Sequence, residues 1–317
     1  MAYSLDKISV IMPVFNAEAH ILGSVSSVLG QSFQNIELIV VDDGSTDSGI
    51  KVLENIKDQR LKVIAQNNSG VSAARNRGMA EAAGGYIAFI DADDSWSPLC
   101  MEELYNALKS NPDAALSYCG WQNVGLSGGR GAPYIPPDYE CEGKIEYLLR
   151  TCPWPIHAAL VRRNIIEYAG GFDESLSHAE DFKVWLEIAM FHRIVRVPKV
   201  LAFYNFHEGA QANKEYAKAA LSHWSVQREF LKKHPDITRQ LDDEIIKRLT
   251  LGELLKRGYI CYWERNLKPA RRIFRTVMKN GYGAIGDWKY MLPSLLPLSL
   301  HYALIRLFEK GSEASEV

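Results

Sequence analysis

Four short apolar runs near the start of the chain constrain the fold more than any other feature: residues 8–12, 36–41, 61–65 and 86–90. They are rich in Val and Ile and do not alternate with polar residues. Strands buried on both faces read this way. Helical segments at 17–29, 46–56 and 71–83 separate them. A strand–helix–strand repeat predicts a parallel sheet with right-handed crossovers. Pro13 to Asn16 follow the first run, Asp42-Asp43 the second and Asp91-Ala92-Asp93 the fourth. All three sets then lie beyond the carboxyl ends of parallel strands, where open α/β sheets bind ligands.

Later segments continue the mixed pattern. A helix is expected to about Ser110, a strand at 114–119, a Gly/Pro-rich loop at 125–137 and a helix at 144–150. A strand near 157–161 and a helix at 179–191 follow, and from Asn213 the pattern is helical almost throughout. We place a boundary near residue 210, giving units 1–210 and 211–317. Charge divides the same way. Residues 211–317 hold 19 basic and 12 acidic residues, a net of +7, and residues 1–210 carry a net of −9. The first unit suits cation recruitment and the second an anionic surface. Nothing points to a nucleic-acid partner.

The uncharged run from Tyr290 to Ile305 has 16 residues and contains Pro293 and Pro297. A membrane span needs about 20 apolar residues. Five cysteines with no C-x-x-C pair suggest a reducing compartment. No basic region precedes the first apolar run, so a secretory leader is not expected. Cytoplasmic placement is expected, with a peripheral position on the inner face of the cell membrane as the alternative.

Two carboxylates one residue apart, Asp91 and Asp93, can address one hard cation and a polar ligand together. Mn²⁺ and Mg²⁺ take oxygen ligands and keep positions for phosphate oxygens. Read alone, the same residues are an acidic turn. Ser45 in Asp42-Asp43-Gly44-Ser45-Thr46-Asp47 is a candidate helix cap, and Asp43 a candidate acceptor for a pyrimidine N–H. Arg75, in a segment of small residues from Ser69 to Gly78, offers a planar fork of donors to a base or phosphate, or is a solvated helix arginine. Ser177 and Glu180 fit a capping box. Asp181 falls in the first turn of that helix, where the dipole favours its ionised form, ready to accept a proton. Trp121, Trp154, His157 and Trp185 are candidates for a sugar-stacking wall or for core.

Together these segments resemble the family 2 glycosyltransferases, which have the GT-A fold. The resemblance covers about residues 7–208. It rests on Ser9 to Asn16, Val41 to Asp47, Asn68 to Gly78, Asp91 to Asp94, and Gly171-Phe172-Asp173 followed by Glu180-Asp181. It implies an α/β catalytic domain with a mostly parallel sheet, followed by a helical region. It implies that Pro13, Val14, Asp43, Asn68 and Arg75 hold the uridine part of a UDP-sugar, with Ala92 and Glu180 also against substrate. Asp91 would address ribose or metal-bound water, Asp93 would ligate the metal and Asp181 would be the base. The family often shows Tyr-Arg-x-His after the base helix. Here Tyr204-Asn205-Phe206-His207 keeps Tyr and His but has Asn205 in place of Arg. His207 is then a candidate third metal ligand. The implied reaction is inverting transfer of a hexose or N-acetylhexosamine to a glycan or lipid-linked glycan.

The competing enzyme class is a sugar nucleotidyltransferase, whose Gly-rich N-terminal loop with Arg and Lys is missing here. The competing non-enzyme is an inactive glycan-binding protein of the same fold, against which Asp91, Asp93 and Asp181 stand. In the second unit, Leu267, Ala270, Ile273, Phe274, Val277 and Met278 recur at helical spacing. Lys268, Arg272, Arg275 and Lys279 lie on another face, and an amphipathic helix is expected, packed on neighbours or laid on anionic lipid.

Overall fold

The computed structural model describes residues 4–126, 128–206 and 215–313. The chain divides into two compact units, Met1–Ala210 and Gln211–Val317. The first begins with β1 (Ser4–Val14), α1 (Ile21–Leu29), β2 (Ile36–Asp42), α2 (Gly49–Leu53), β3 (Leu61–Ala65), α3 (Val71–Glu81) and β4 (Gly84–Phe89). It continues with β5 (Ser95–Trp96), α4 (Cys100–Ser110), β6 (Ala114–Val124), α5 (Lys144–Arg150), β7 (Ala159–Arg162), α6 (Arg163–Tyr168), α7 (Glu180–Phe191) and β8 (Arg193–Asn205).

These strands form one sheet in the order β3-β2-β1-β4-β7-β6-β8-β5. The β1–β2, β1–β4, β2–β3 and β6–β8 ladders are parallel. The β4–β7, β6–β7 and β5–β8 ladders are antiparallel. The repeat at the start of the chain builds the expected parallel half, and β7, inserted between β4 and β6, reverses the direction. Buried residues on both faces of β1, β2 and β4 account for their unbroken apolar runs. The third run differs from expectation: β3 is the sheet edge, and its Val63 is exposed.

Register places the acidic residues together. Val14 pairs with Asp42, and Asp42 with Ala65. Ile11 pairs with Phe89, so the chain leaving β4 runs beside Met12 to Val14. Helix α3 packs against β1 because Gly78 leaves no side chain between its backbone and Ile11.

The second unit comprises α8 (Tyr216–Lys233), α9 (Pro235–Thr238), α10 (Asp243–Lys247), α11 (Glu253–Trp263), α12 (Leu267–Lys279), α13 (Ile285–Met291) and α14 (Leu298–Glu313). Leu267, Ala270, Ile273, Phe274 and Val277 of α12 are buried in its core, with Met278 packed beside them. Lys268, Arg272, Arg275 and Lys279 are exposed on the same helix. No described helix is long and apolar enough to cross a membrane.

Candidate active site

The ends of β1, β2 and β4 and the start of α7 line one cavity of about 410 Å³. Its walls include Pro13, Val14, Asp43, Arg75, Asp91, Ala92, Asp93 and Glu180. Phe15, Asn16, His20 and Tyr204 also line it. Of the expected donor-side residues, Asn68 is not in the wall, and neither is Asp181, the neighbour of Glu180. His207 lies outside the described residues.

The loops that shape the cavity brace each other. Asn16 takes a left-handed backbone, φ 53°, and its Oδ1 accepts from the Thr46 amide at 2.8 Å. Ser45 Oγ accepts from the Asn16 amide at 3.0 Å, so Ser45 ties two loops and does not cap α2. Asp43 is buried. Its Oδ1 accepts from Gln66 Nε2 and the Ser69 amide, and its Oδ2 from the Gly70 amide, each at 2.8 Å. Gly44, at φ 78°, lets the Asn68 backbone come close: a Cβ there would lie 2.9 Å from the Asn68 amide nitrogen. That is a positional reason for a glycine after the two aspartates.

The three aspartates after β4 have different environments. Asp91 Oδ1 accepts from Arg75 Nη2 at 2.8 Å. Asp93 faces the cavity, and its carbonyl accepts from Asn205 Nδ2 at 2.7 Å. Asp94 is buried, 3.0 Å from His157 Nδ1, and accepts from the Asn205 amide at 3.1 Å. Asn205, where the family often has Arg, therefore holds the aspartate turn. Asp91 and Asp93 offer two carboxylates on a wall open to ligand oxygens. This donor set fits a hard divalent ion completed by phosphate oxygens.

Arg75 is only 3% exposed, unlike the solvated arginine that α3 alone allows. It donates to Asp91 and, through Nη1 at 2.9 Å, to Glu180. Its guanidinium sits over the Phe172 ring, 5.3 Å from the centroid. Glu180 is thus an ion-pair partner. Helix α7 starts instead from Ala179 in a left-handed backbone, φ 63°, with no side-chain cap, and Ser177 Oγ lies 3.1 Å from the neighbouring His178 Nδ1. The capping-box expectation fails because the chain turns at Ala179. Asn76 anchors the turn before α7, donating to the Phe172 carbonyl and accepting from its amide. Asp173, held to about 2 chiefly by the Lys183 ammonium, pins the same turn to α7.

Asp181 differs from the dipole-based expectation. Burial pushes its carboxyl up to about 6, and the Glu180 carboxylate adds to the rise. Arg75 and the Phe182 amide pull the other way. A carboxylate near that value is ionised at neutral pH yet accepts a proton readily. Burial also pushes the Tyr204 phenol up to about 12, so it stays a hydrogen-bond donor.

The proposed aromatic wall does not form. Trp154, Trp185 and His157 are core residues, with Trp154 stacked on Tyr118 at 4.5 Å. Trp121 packs on Tyr134. Tyr204 belongs to the Tyr204-Asn205-Phe206-His207 motif, but nothing local marks His20, which the chain path brings in from the start of α1.

Residues 9–166 match glycosyl transferase family 2. A Haemophilus influenzae glycosyltransferase is 47% identical over 111 residues, which span 34% of this chain and 44% of that relative. The Escherichia coli UDP-Glc:alpha-D-GlcNAc-diphosphoundecaprenol beta-1,3-glucosyltransferase WfgD is 34% identical over 186 residues, covering 57% of this chain and 69% of WfgD. Among solved structures, the mannosyltransferase PcManGT of Pyrobaculum calidifontis, in complex with GDP-Man and Mn²⁺, aligns with a TM-score of 0.57 at 18% identity. That alignment covers 94% of this chain and 80% of the other. The fold is the GT-A fold, and the chain belongs to glycosyltransferase family 2.

Proposed function

We propose that this glycosyltransferase is an inverting, divalent-metal-dependent enzyme that moves a hexose or N-acetylhexosamine from a UDP-sugar to a glycan or lipid-linked glycan. The observation that carries the reading is one cavity lined by Asp43, Asp91, Asp93 and Glu180, the last of them next in sequence to Asp181. WfgD, by its name, uses UDP-Glc and a diphosphoundecaprenol-linked sugar, which supports both substrate classes.

Pro13, Val14, Asp43 and the Asn68 loop receive the nucleoside, Asp91 the ribose side, and Ala92 and Asp93 the diphosphate side. Asp93 and Asp91, with His207 as a further candidate, would hold Mn²⁺ or Mg²⁺, which would supply positive charge against the leaving diphosphate. Asp181 takes the proton from an acceptor hydroxyl. That oxygen attacks the anomeric carbon from the face opposite the diphosphate, the carbon–diphosphate bond breaks, and the configuration inverts once. Tyr204 donates a hydrogen bond into the cavity.

Calorimetry with UDP-, GDP- and dTDP-sugars tests the reading. UDP-sugars should bind with Mn²⁺ or Mg²⁺ and lose affinity when the metal is chelated. Heats absent across the whole panel would sink it. We also propose a cytoplasmic enzyme whose second unit rests on anionic lipid. The supports are the exposed basic face of α12 and exposed Ile285, Leu292, Leu295 and Leu300. Cosedimentation with anionic but not neutral vesicles is expected, and none with either would refute it.

A further inference from the structure

Arg75 is placed unlike a ligand-binding arginine. Its guanidinium is almost wholly buried, with one face over Phe172 and each terminal nitrogen committed to a carboxylate. Those carboxylates come from separate parts of the fold, Asp91 sixteen residues away after β4 and Glu180 105 residues away at the start of α7. One planar fork therefore joins the donor-side turn to the helix that carries Asp181. Lysine cannot reproduce the span, since its charge is a point at the end of a flexible stem. Without the fork, Asp91 and Glu180 face each other as two uncompensated carboxylates in a partly desolvated wall.

We propose that Arg75 is a positioning residue, a clamp that fixes Glu180 and thereby the reach of Asp181 relative to Asp91, and that its part in holding the nucleoside is secondary. This inference rests on the donor-cavity reading above and deepens it. Reaction geometry is sensitive to such clamps, because a displacement of about 1 Å can cost about a hundredfold in rate.

The test compares R75K, E180Q and the double variant with the unmodified chain. Binding is read by calorimetry with UDP and Mn²⁺. Turnover is read as UDP release from saturating UDP-glucose or UDP-N-acetylglucosamine, whichever the unmodified protein cleaves faster. R75K and E180Q should each lower turnover by about tenfold or more, while UDP affinity stays within about threefold. The double variant should fall no further than the worse single, as expected for two halves of one contact. E180Q retains the Arg75–Asp91 bond, so it remains informative if R75K does not fold. R75K that loses UDP affinity at unchanged saturated turnover, or E180Q with full turnover, would overturn the clamp and leave the transferase reading intact. Failure of the unmodified protein to bind UDP with Mn²⁺ or Mg²⁺ would overturn both.

Discussion

Asp43 and Asp181 are the same residue type at the edge of the same fold, yet their surroundings differ, and so do the roles we propose for them. Asp43 follows β2 and accepts three hydrogen bonds, two of them from the backbone amides of Ser69 and Gly70. Together these donors fix the carboxylate in place. Asp181 has one amide donor, from Phe182, and a like charge next to it in Glu180. Burial wins there, and the group sits near 6. The first arrangement holds a fixed acceptor and braces a loop. The second keeps a carboxylate reactive toward protons. Hydrogen-bond donors, rather than the motif around each aspartate, separate the two roles.

Substitution at Asp181 should produce the largest contrast. D181N removes the proposed proton acceptor and should lower transfer by about 10²- to 10⁴-fold, with UDP affinity retained. Steady-state rates and calorimetry on one preparation check this, and near-normal turnover would end the assignment. The second contrast is in pH. Turnover should rise as Asp181 ionises, with its acid limb centred near pH 6, and a limb near pH 4 would point to another base.

Asp43 should respond differently. In D43N, the amide that replaces one carboxylate oxygen sets a donor against one of the N–H groups from Gln66, Ser69 or Gly70, and the fold should lose about 1–3 kcal/mol. UDP affinity should fall with it, read by urea unfolding and calorimetry together. A further effect is on stability at Asp181. Its folded value lies above the ordinary 3.8, so the folded state holds the proton more tightly than the unfolded chain. The charged form therefore costs stability above pH 6. That cost fades as pH falls through 6 and is gone below about 3.8. D181N should melt higher than the unmodified protein at pH 8 and equally at pH 3.5.

Much of this organisation was legible in the sequence. Strands β1, β2 and β4 are buried on both faces, so their apolar runs were unbroken and the aspartates at their ends fell on one edge. Strand β8 was not legible. Arg193, Arg196, Pro198 and Lys199 interrupt its pattern, since much of it is only partly buried. The antiparallel placement of β7 depends on chain path, which no local pattern records. In the site, Glu180 was misread because Ser177 and Glu180 have capping-box spacing while the backbone turns at Ala179. Arg75 was ambiguous for a similar reason. Its partners are distant in sequence, and small residues on α3 say only that something packs closely. Trp154 and Trp185 carry as strong a signal for core as for sugar binding, and packing decided for core.

The stereochemistry of transfer tests the proposed single displacement most directly. Proton NMR of the anomeric centre should show a β-configured sugar formed from an α-linked UDP-hexose, as a single attack assisted by Asp181 requires. An α-configured product would contradict the account, whatever the rates of the variants.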